Sequence, residues 1–179
     1  MSGRRPVTFA IVVVACLISL SAWAARHSTN NGQAYPGDVL VGKVVRIADG
    51  DTLTILDDAE MQHRIRLYGI DAPEKAQAFG TQSKKNLADK VFGEIVRVEV
   101  VDIDRYHRAV GRILLGNRFI NLEQVREGYA WRYASYDHHH EFDAAERQAR
   151  AAHRGLWADP HPTPPWEFRH SRRAEEARD

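Results

Sequence analysis

Asp51, Asp71 and Glu74, together with Arg66 and Arg108, are the side chains of this sequence whose types and spacing could do chemistry as a set. Asp51 lies in Asp49-Gly50-Asp51-Thr52, Arg66 precedes Asp71-Ala72-Pro73-Glu74, and Arg108 ends Asp104-Arg105-Tyr106-His107-Arg108. Hard cations such as calcium take carboxylate and carbonyl oxygens. Two acids at neighbouring strand ends would form a partial shell, leaving sites for water and a phosphate oxygen. Pro73 stiffens the backbone ahead of Glu74, so this acid would project from a fixed turn and orient or deprotonate a water. Arg66 can grip phosphate with a forked, permanent charge, and Arg108 can neutralise charge developing at phosphorus. Together they are an inventory for hydrolysing a phosphodiester.

Each piece also has a plain reading when it stands alone. Asp49-Gly50-Asp51 is turn chemistry, Asp-x-Pro-Glu often starts a helix, and Arg64 suits a solvated strand face. Arg108 could pair with Asp102 or Asp104 at the surface. Tyr106, Tyr133 and Tyr136 could stack on a base or sugar, or pack on the fold. His138-His139-His140 is read as a loop, because consecutive histidines do not converge on one ion as helical pairs three or four apart do.

The elements that must position these groups follow from periodicity. Residues 39–47 are rich in β-branched side chains and end at the Asp49-Gly50 turn. Residues 52–56 alternate hydroxyl and apolar, Asp57-Asp58 turns, and residues 63–68 alternate again. Arg64 and Arg66 then share one face, Ile65 and Leu67 the other. Leu87, Ala88 and Val91 fall at helical spacing, with Gly93 as a stop. Residues 95–101 form a fourth strand, and residues 112–115 and 118–120 flank Gly116-Asn117 as a hairpin. Asn121 is placed to cap a short helix reaching Glu127. A last helix is predicted over 141–153, with Phe142, Ala145, Ala149 and Ala152 on one face. Pro160, Pro162, Pro164 and Pro165 predict an extended segment pinned by Trp166 and Phe168, followed by a frayed, charged tail. The order predicts an α+β, mainly β fold: a five-stranded OB-fold barrel with about three helices.

With 179 residues, 44% of them hydrophobic, the chain has room for one domain and a short appendage. Its 25 basic and 24 acidic side chains exclude coating of nucleic acid by bulk charge, so phosphate affinity must be local. Cys16 is the only cysteine, which excludes an intrachain disulfide. Arg4 and Arg5, the apolar run 7–24 and the small residues around Ala24 form an export signal with cleavage after Ala24. The run is equally long enough to remain as a membrane anchor. Either reading places the rest outside the cytoplasm. The division expected is 1–25 signal peptide or membrane anchor, 26–38 linker, 39–168 folded domain and 169–179 charged tail.

These motifs resemble those of the staphylococcal nuclease-like, or thermonuclease, family. The likeness covers about residues 39–168. It rests on Asp49 to Thr52, Arg66 to Glu74, Asp104 to Arg108, Asn121 thirteen residues later, and Ala145 to Arg150 leading to Arg154-Gly155-Leu156-Trp157. The resemblance implies calcium-dependent cleavage of DNA and RNA with little sequence preference, leaving the phosphate on the 3′ oxygen. By the same likeness, Asp51 and Asp71 are the calcium carboxylates and Ala72 a carbonyl ligand. Glu74 is the general base, Arg66 and Arg108 contact phosphate, and Tyr106 contacts a nucleotide. Ala72 stands where the prototype has threonine, which keeps the carbonyl and loses a hydroxyl. His107 stands where glycine is common, which is expected to alter the loop that aims Arg108. A secreted, periplasmic or membrane-anchored monomer is expected, with residues 7–24 as the membrane contact. The competing reading is an OB-fold module, free or tethered, that binds nucleic acid without turnover; such a binder would have no need for Glu74.

Overall fold

The computed structural model describes residues 33–133 and 140–178. The apolar run 7–24, Tyr136, His138 and His139 lie outside them. Strand β1 (Val39–Ile47) pairs antiparallel with β2 (Thr52–Leu56) on one side and β5 (Ile95–Ile103) on the other. In turn β2 pairs with β3 (Gln62–Leu67), and β5 with β6 (Ala109–Leu115). A parallel pairing of β3 with β6, Ile65 opposite Ala109 and Leu67 opposite Gly111, joins the two ends. The sheet is therefore a closed barrel of the OB type, as the strand pattern predicts. Strand alternation sorts the side chains: His63, Ile65 and Leu67 are buried, while Gln62 and Arg64 are exposed and Arg66 is half-buried. Leu53, Ile55, Ile65, Val98 and Ile113 fill the barrel, each 0% exposed.

Two short strands, β4 (Ile70–Asp71) and β8 (Trp131–Arg132), pair outside the barrel, and β7 (Arg118–Phe119) extends it beyond β6. Helix α1 (Gly80–Val91) buries Leu87 and Val91 as its spacing predicts. Helix α2 spans Ile120–Arg126 and corrects the role given to Asn121. This residue lies inside the helix, fully buried, rather than capping it. Its Oδ1 accepts from the Ile113 N–H at 2.9 Å, while Nδ2 donates to the Tyr68 and Gly111 carbonyls at 2.9 and 3.0 Å. A cap and a buried staple use the same short amide, and only the closed barrel brings these backbone groups to it.

Helix α3 (His140–Ala151) buries Phe142, Ala145 and Ala149; Ala152 falls past its end and is exposed. Trp131, Ala149, Leu156 and Trp157 form a second, smaller apolar cluster. The C-terminal segment differs from the frayed tail expected there. Residues Pro165–Glu176 form helix α4, a fourth helix, with Pro165 in its first turn, where a missing N–H costs nothing. Trp166 meets Trp131 edge-on at 5.5 Å. At the other end, Ala34 is buried against the barrel and the Gly37 N–H donates to the Val100 carbonyl at 2.8 Å, so the compact unit begins within the expected linker. Among the described residues no helix is long and apolar enough to cross a membrane.

Replacing Asn121 with Ala strands one N–H and weakens two carbonyls in the interior. The expected loss is on the order of 2–4 kcal/mol, read as a lower urea midpoint at unchanged slope.

Candidate active site

The floor of the site forms where β2 begins. A Cβ on Gly50 would lie 1.8 Å from Ser83 Oγ and 2.8 Å from the Ala72 Cβ, so glycine alone fits beneath α1. The Gly50 carbonyl accepts from Gln124 Nε2 at 3.0 Å, and Asp49 Oδ1 accepts the Asp51 N–H at 3.1 Å. This turn delivers the Asp51 carboxylate, 3% exposed, to three donors. Oδ1 accepts from Arg66 Nη1 at 2.7 Å and Thr52 Oγ1 at 3.0 Å, and Oδ2 accepts from the Ala72 N–H at 2.8 Å.

Arg66, the cross-strand partner of Thr52, lies between two acids. Its Nη1 donates to Asp51, while Nη2 donates to Asp71 Oδ1 at 3.0 Å and to the Ile70 carbonyl at 3.3 Å. Burial works against its charge, but Asp51 and Asp71 outweigh burial and hold the guanidinium above its ordinary pKa. Asp51 shifts the other way from most paired acids. Burial pushes its carboxyl up, the neighbouring Asp49 adds to this, and Arg66 only partly offsets them. The charged form of Asp51 therefore depends on the cationic groups beside it.

Arg108 is aimed by the loop between β5 and β6. Asp104 Oδ1 accepts the N–H groups of Tyr106 at 2.9 Å and Arg108 at 3.0 Å, and Oδ2 accepts Arg108 Nε at 2.7 Å. Burial favours a protonated Asp104, but these bonds prevail and hold its carboxyl below the usual value. Arg108 Nη1 then reaches Thr52 Oγ1 at 3.4 Å, and Thr52 in turn donates to Asp51. One chain of hydrogen bonds thus links the two arms of the site. Within this loop His107 adopts the left-handed backbone, at φ 60°, that favours glycine.

Glu74 is placed by a close approach. A Cβ on Gly80 would lie 2.0 Å from the Glu74 carbonyl oxygen, so α1 begins against the turn that carries the acid. Its carboxylate is about one-third exposed and accepts from Arg169 Nη1 at 2.8 Å. Arg169 also lays a fork across Asp71, with Nη2 at 2.7 Å from Oδ2 and Nη1 at 3.2 Å from Oδ1. The bond to Asp71, helped by that to Glu74, holds its pKa above the ordinary value against burial.

A cavity of about 360 Å³ opens over these groups. Asp51, Arg66, Asp71, Ala72, Glu74, Tyr106 and Arg108, the positions to which the family resemblance gave roles, line it. Tyr106 is 60% exposed, with the Arg105 and Arg108 guanidiniums 4.9 and 5.5 Å from its ring centre. Tyr133 lines an adjoining cavity of about 350 Å³ that shares Arg66, Tyr106 and Arg108. Sequence reasoning missed Arg169, which it placed in a tail, and it saw Asp104 only as a surface partner rather than as the clamp of a loop. The available signal for Arg169 was Pro164-Pro165 followed by residues 166–178 without glycine or proline, the mark of a helix start and body.

The donor set fits a hard cation. Asp51 and Asp71 are oxygen donors brought within the width of one guanidinium, and a cation beside them eases the cost of burying Asp51 as an anion. Among the described residues no three His, Cys, Asp or Glu side chains are grouped around one point, so a cation here would draw the rest of its shell from carbonyls, waters and phosphate.

Residues 64–159 match the family model described as staphylococcal nuclease homologue. The chain belongs to the staphylococcal nuclease family. An uncharacterized endonuclease of Haemophilus influenzae is 44% identical over 127 residues, 71% of each chain. An uncharacterized endonuclease of Escherichia coli O157:H7 is 40% identical over 130 residues, 72% of this chain and 84% of the relative. A probable staphylococcal-like nuclease of Oryza sativa subsp. japonica is 38% identical over 131 residues, 73% of this chain; the match spans about a third, 34%, of the rice protein. Membership of the staphylococcal nuclease family makes this chain a nuclease, an enzyme hydrolysing phosphodiester bonds. The stretch matching the staphylococcal nuclease homologue model contains Arg66, Asp71, Glu74, Tyr106 and Arg108, while Asp51 precedes it.

Asp104→Ala frees Arg108 without touching the carboxylate floor, so kcat/KM on a nucleic-acid substrate is expected to fall about 100-fold. Combining it with Arg108→Ala should add little, because both remove one function. Since the folded pKa of Asp104 is depressed, its contribution to stability is complete above the unfolded value and is lost as pH falls through the lower, folded one. Asp104→Asn should therefore lose less stability than wild type in urea melts taken from about pH 4 downward.

Proposed function

We propose that this nuclease cleaves DNA and RNA with little sequence preference in a calcium-dependent reaction, leaving the phosphate on the 3′ oxygen. The observation that carries this reading is the convergence of Asp51, Asp71, Glu74, Arg66 and Arg108 on one cavity. Low specificity is supported by the wall of that cavity, where Arg64, Arg105 and Arg173 join the other arginines. Contacts to phosphate position a strand without reading its bases, and exposed Tyr106 offers a face on which any base can stack.

Arg66 makes three hydrogen bonds to the protein, leaving donors of its five for a phosphate oxygen. Arg108, held by Asp104, presents its charge to the same phosphate and opposes the charge that grows during attack. Glu74, on its stiff turn, takes the proton of the attacking water, which adds to phosphorus as the 5′ oxygen departs. Calcium, when bound through Asp51, Asp71 and the Ala72 carbonyl, would neutralise the phosphate and favour an ionised water. The run 7–24 supports export, as a cleaved signal or a retained anchor, with the nuclease domain outside the cytoplasmic membrane.

The test uses the full chain with single-stranded DNA and with RNA, in calcium and in excess chelator. Cleavage is expected only with calcium, with 3′-phosphate ends. Glu74→Gln is expected to lower turnover by roughly three orders of magnitude while nucleotide binding holds, since a base is lost and both aspartates stay. Undiminished turnover in this variant would remove Glu74 from the mechanism.

A further inference from the structure

We propose that Arg169 sets the cation affinity of the site: its guanidinium occupies Asp71 and Glu74 as an internal counter-ion, and a divalent cation must displace it. This rests on the reading of Asp71 as a cation ligand. A carboxylate offers about four lone-pair sites. Asp71 has three of them in use, one by Arg66 and two by Arg169, while Glu74 accepts the same Arg169 Nη1. With Arg169 in place, a cation meets Asp71 with both oxygens already engaged and a full positive charge alongside. With Arg169 away, both oxygens of Asp71 have lone pairs free and only Arg66 stays bound.

Of the two arginines on Asp71, Arg169 is the one able to leave. Arg66 is held by Asp51, Asp71 and the Ile70 carbonyl on a strand that closes the barrel. Arg169 belongs to α4, in which Pro165 is the only buried residue. Apart from the arginine fork, the described ties of this segment are few. Trp166 meets Trp131 edge-on, Phe168 reaches a cavity with Pro73 and Phe79, and Gln77 donates to the Thr163 carbonyl. A helix with so little buried surface opens locally at small cost. Cation binding and docking of α4 therefore compete for the same oxygens, and linkage makes the competition reciprocal: what loosens α4 tightens the cation, and the cation loosens α4.

The experiment titrates calcium into the full chain by calorimetry, alongside Arg169→Gln, Arg169→Lys and, as a control, Arg147→Gln, whose partner Asp143 lies on α3 away from the cleft. Tryptophan emission is followed in the same titrations, because release of α4 parts Trp166 from Trp131. Arg169→Gln is expected to bind calcium roughly tenfold more tightly, with Arg169→Lys between it and wild type and the control unchanged. The calcium-dependent emission change of wild type should vanish in Trp166→Phe. Equal or weaker binding by Arg169→Gln, with wild type binding normally, overturns the proposal and leaves the cation site standing. Absence of calcium binding in every protein overturns both.

Discussion

Two buried carboxylates cannot share a few ångströms of protein interior without a charge between them, and Arg66 is that charge. Asp51 is 3% exposed and Asp71 1%, and one guanidinium bonds to both. Leaving either acid unpaired at that depth would cost several kcal/mol. The position of Arg66 therefore fixes how close the acids stand, and the barrel fixes Arg66. It lies opposite Thr52 across β2 and opposite Val110 where β3 meets β6. The seam of the barrel and the floor of the candidate site are one piece of structure, so rigidity reaches the clustered acids and arginines without long side-chain relays.

The parts around this floor are turns, each held by a few polar bonds. Asp104 gathers its own loop and hands Arg108 across to Thr52. Gly50 and Gly80 allow α1 to press against both acidic turns at once, and Gln124 reaches from α2 to the Gly50 carbonyl. Asn121 sits one layer deeper, tying α2 to the backbone of β6. The amides of Gln124 and Asn121 reach backbone groups of the barrel, so the geometry of the site depends on these two helix side chains as well as on helix placement.

Much of this was legible before the structure. Asp51, Asp71 and Arg66 could be read because the turn residues and the period-2 alternation of β3 are local signals, and the strand order followed from the same signals. Asn121 was placed in its helix but given the wrong task, because a capping amide and a buried amide look alike until the barrel closes. The backbone at His107 could not be read, since nothing in a histidine announces the left-handed conformation it takes. Arg169 was the largest gap. Its partner Asp71 lies 98 residues away, and a polar, charged stretch carries no apolar period to announce that it docks anywhere.

The pairing of β3 with β6 also bears on how activity arises as the chain is made. Asp51, Arg66, Asp71 and Glu74 all precede β5, yet the seam that aligns Arg66 needs Ala109 to Gly111, and Arg108 sits directly before it. Contacts so distant in sequence form late, after loop closure has been accomplished. A growing chain thus carries every acid of the candidate site for some time without carrying the site itself, and the last strand of the barrel is what brings its parts into line.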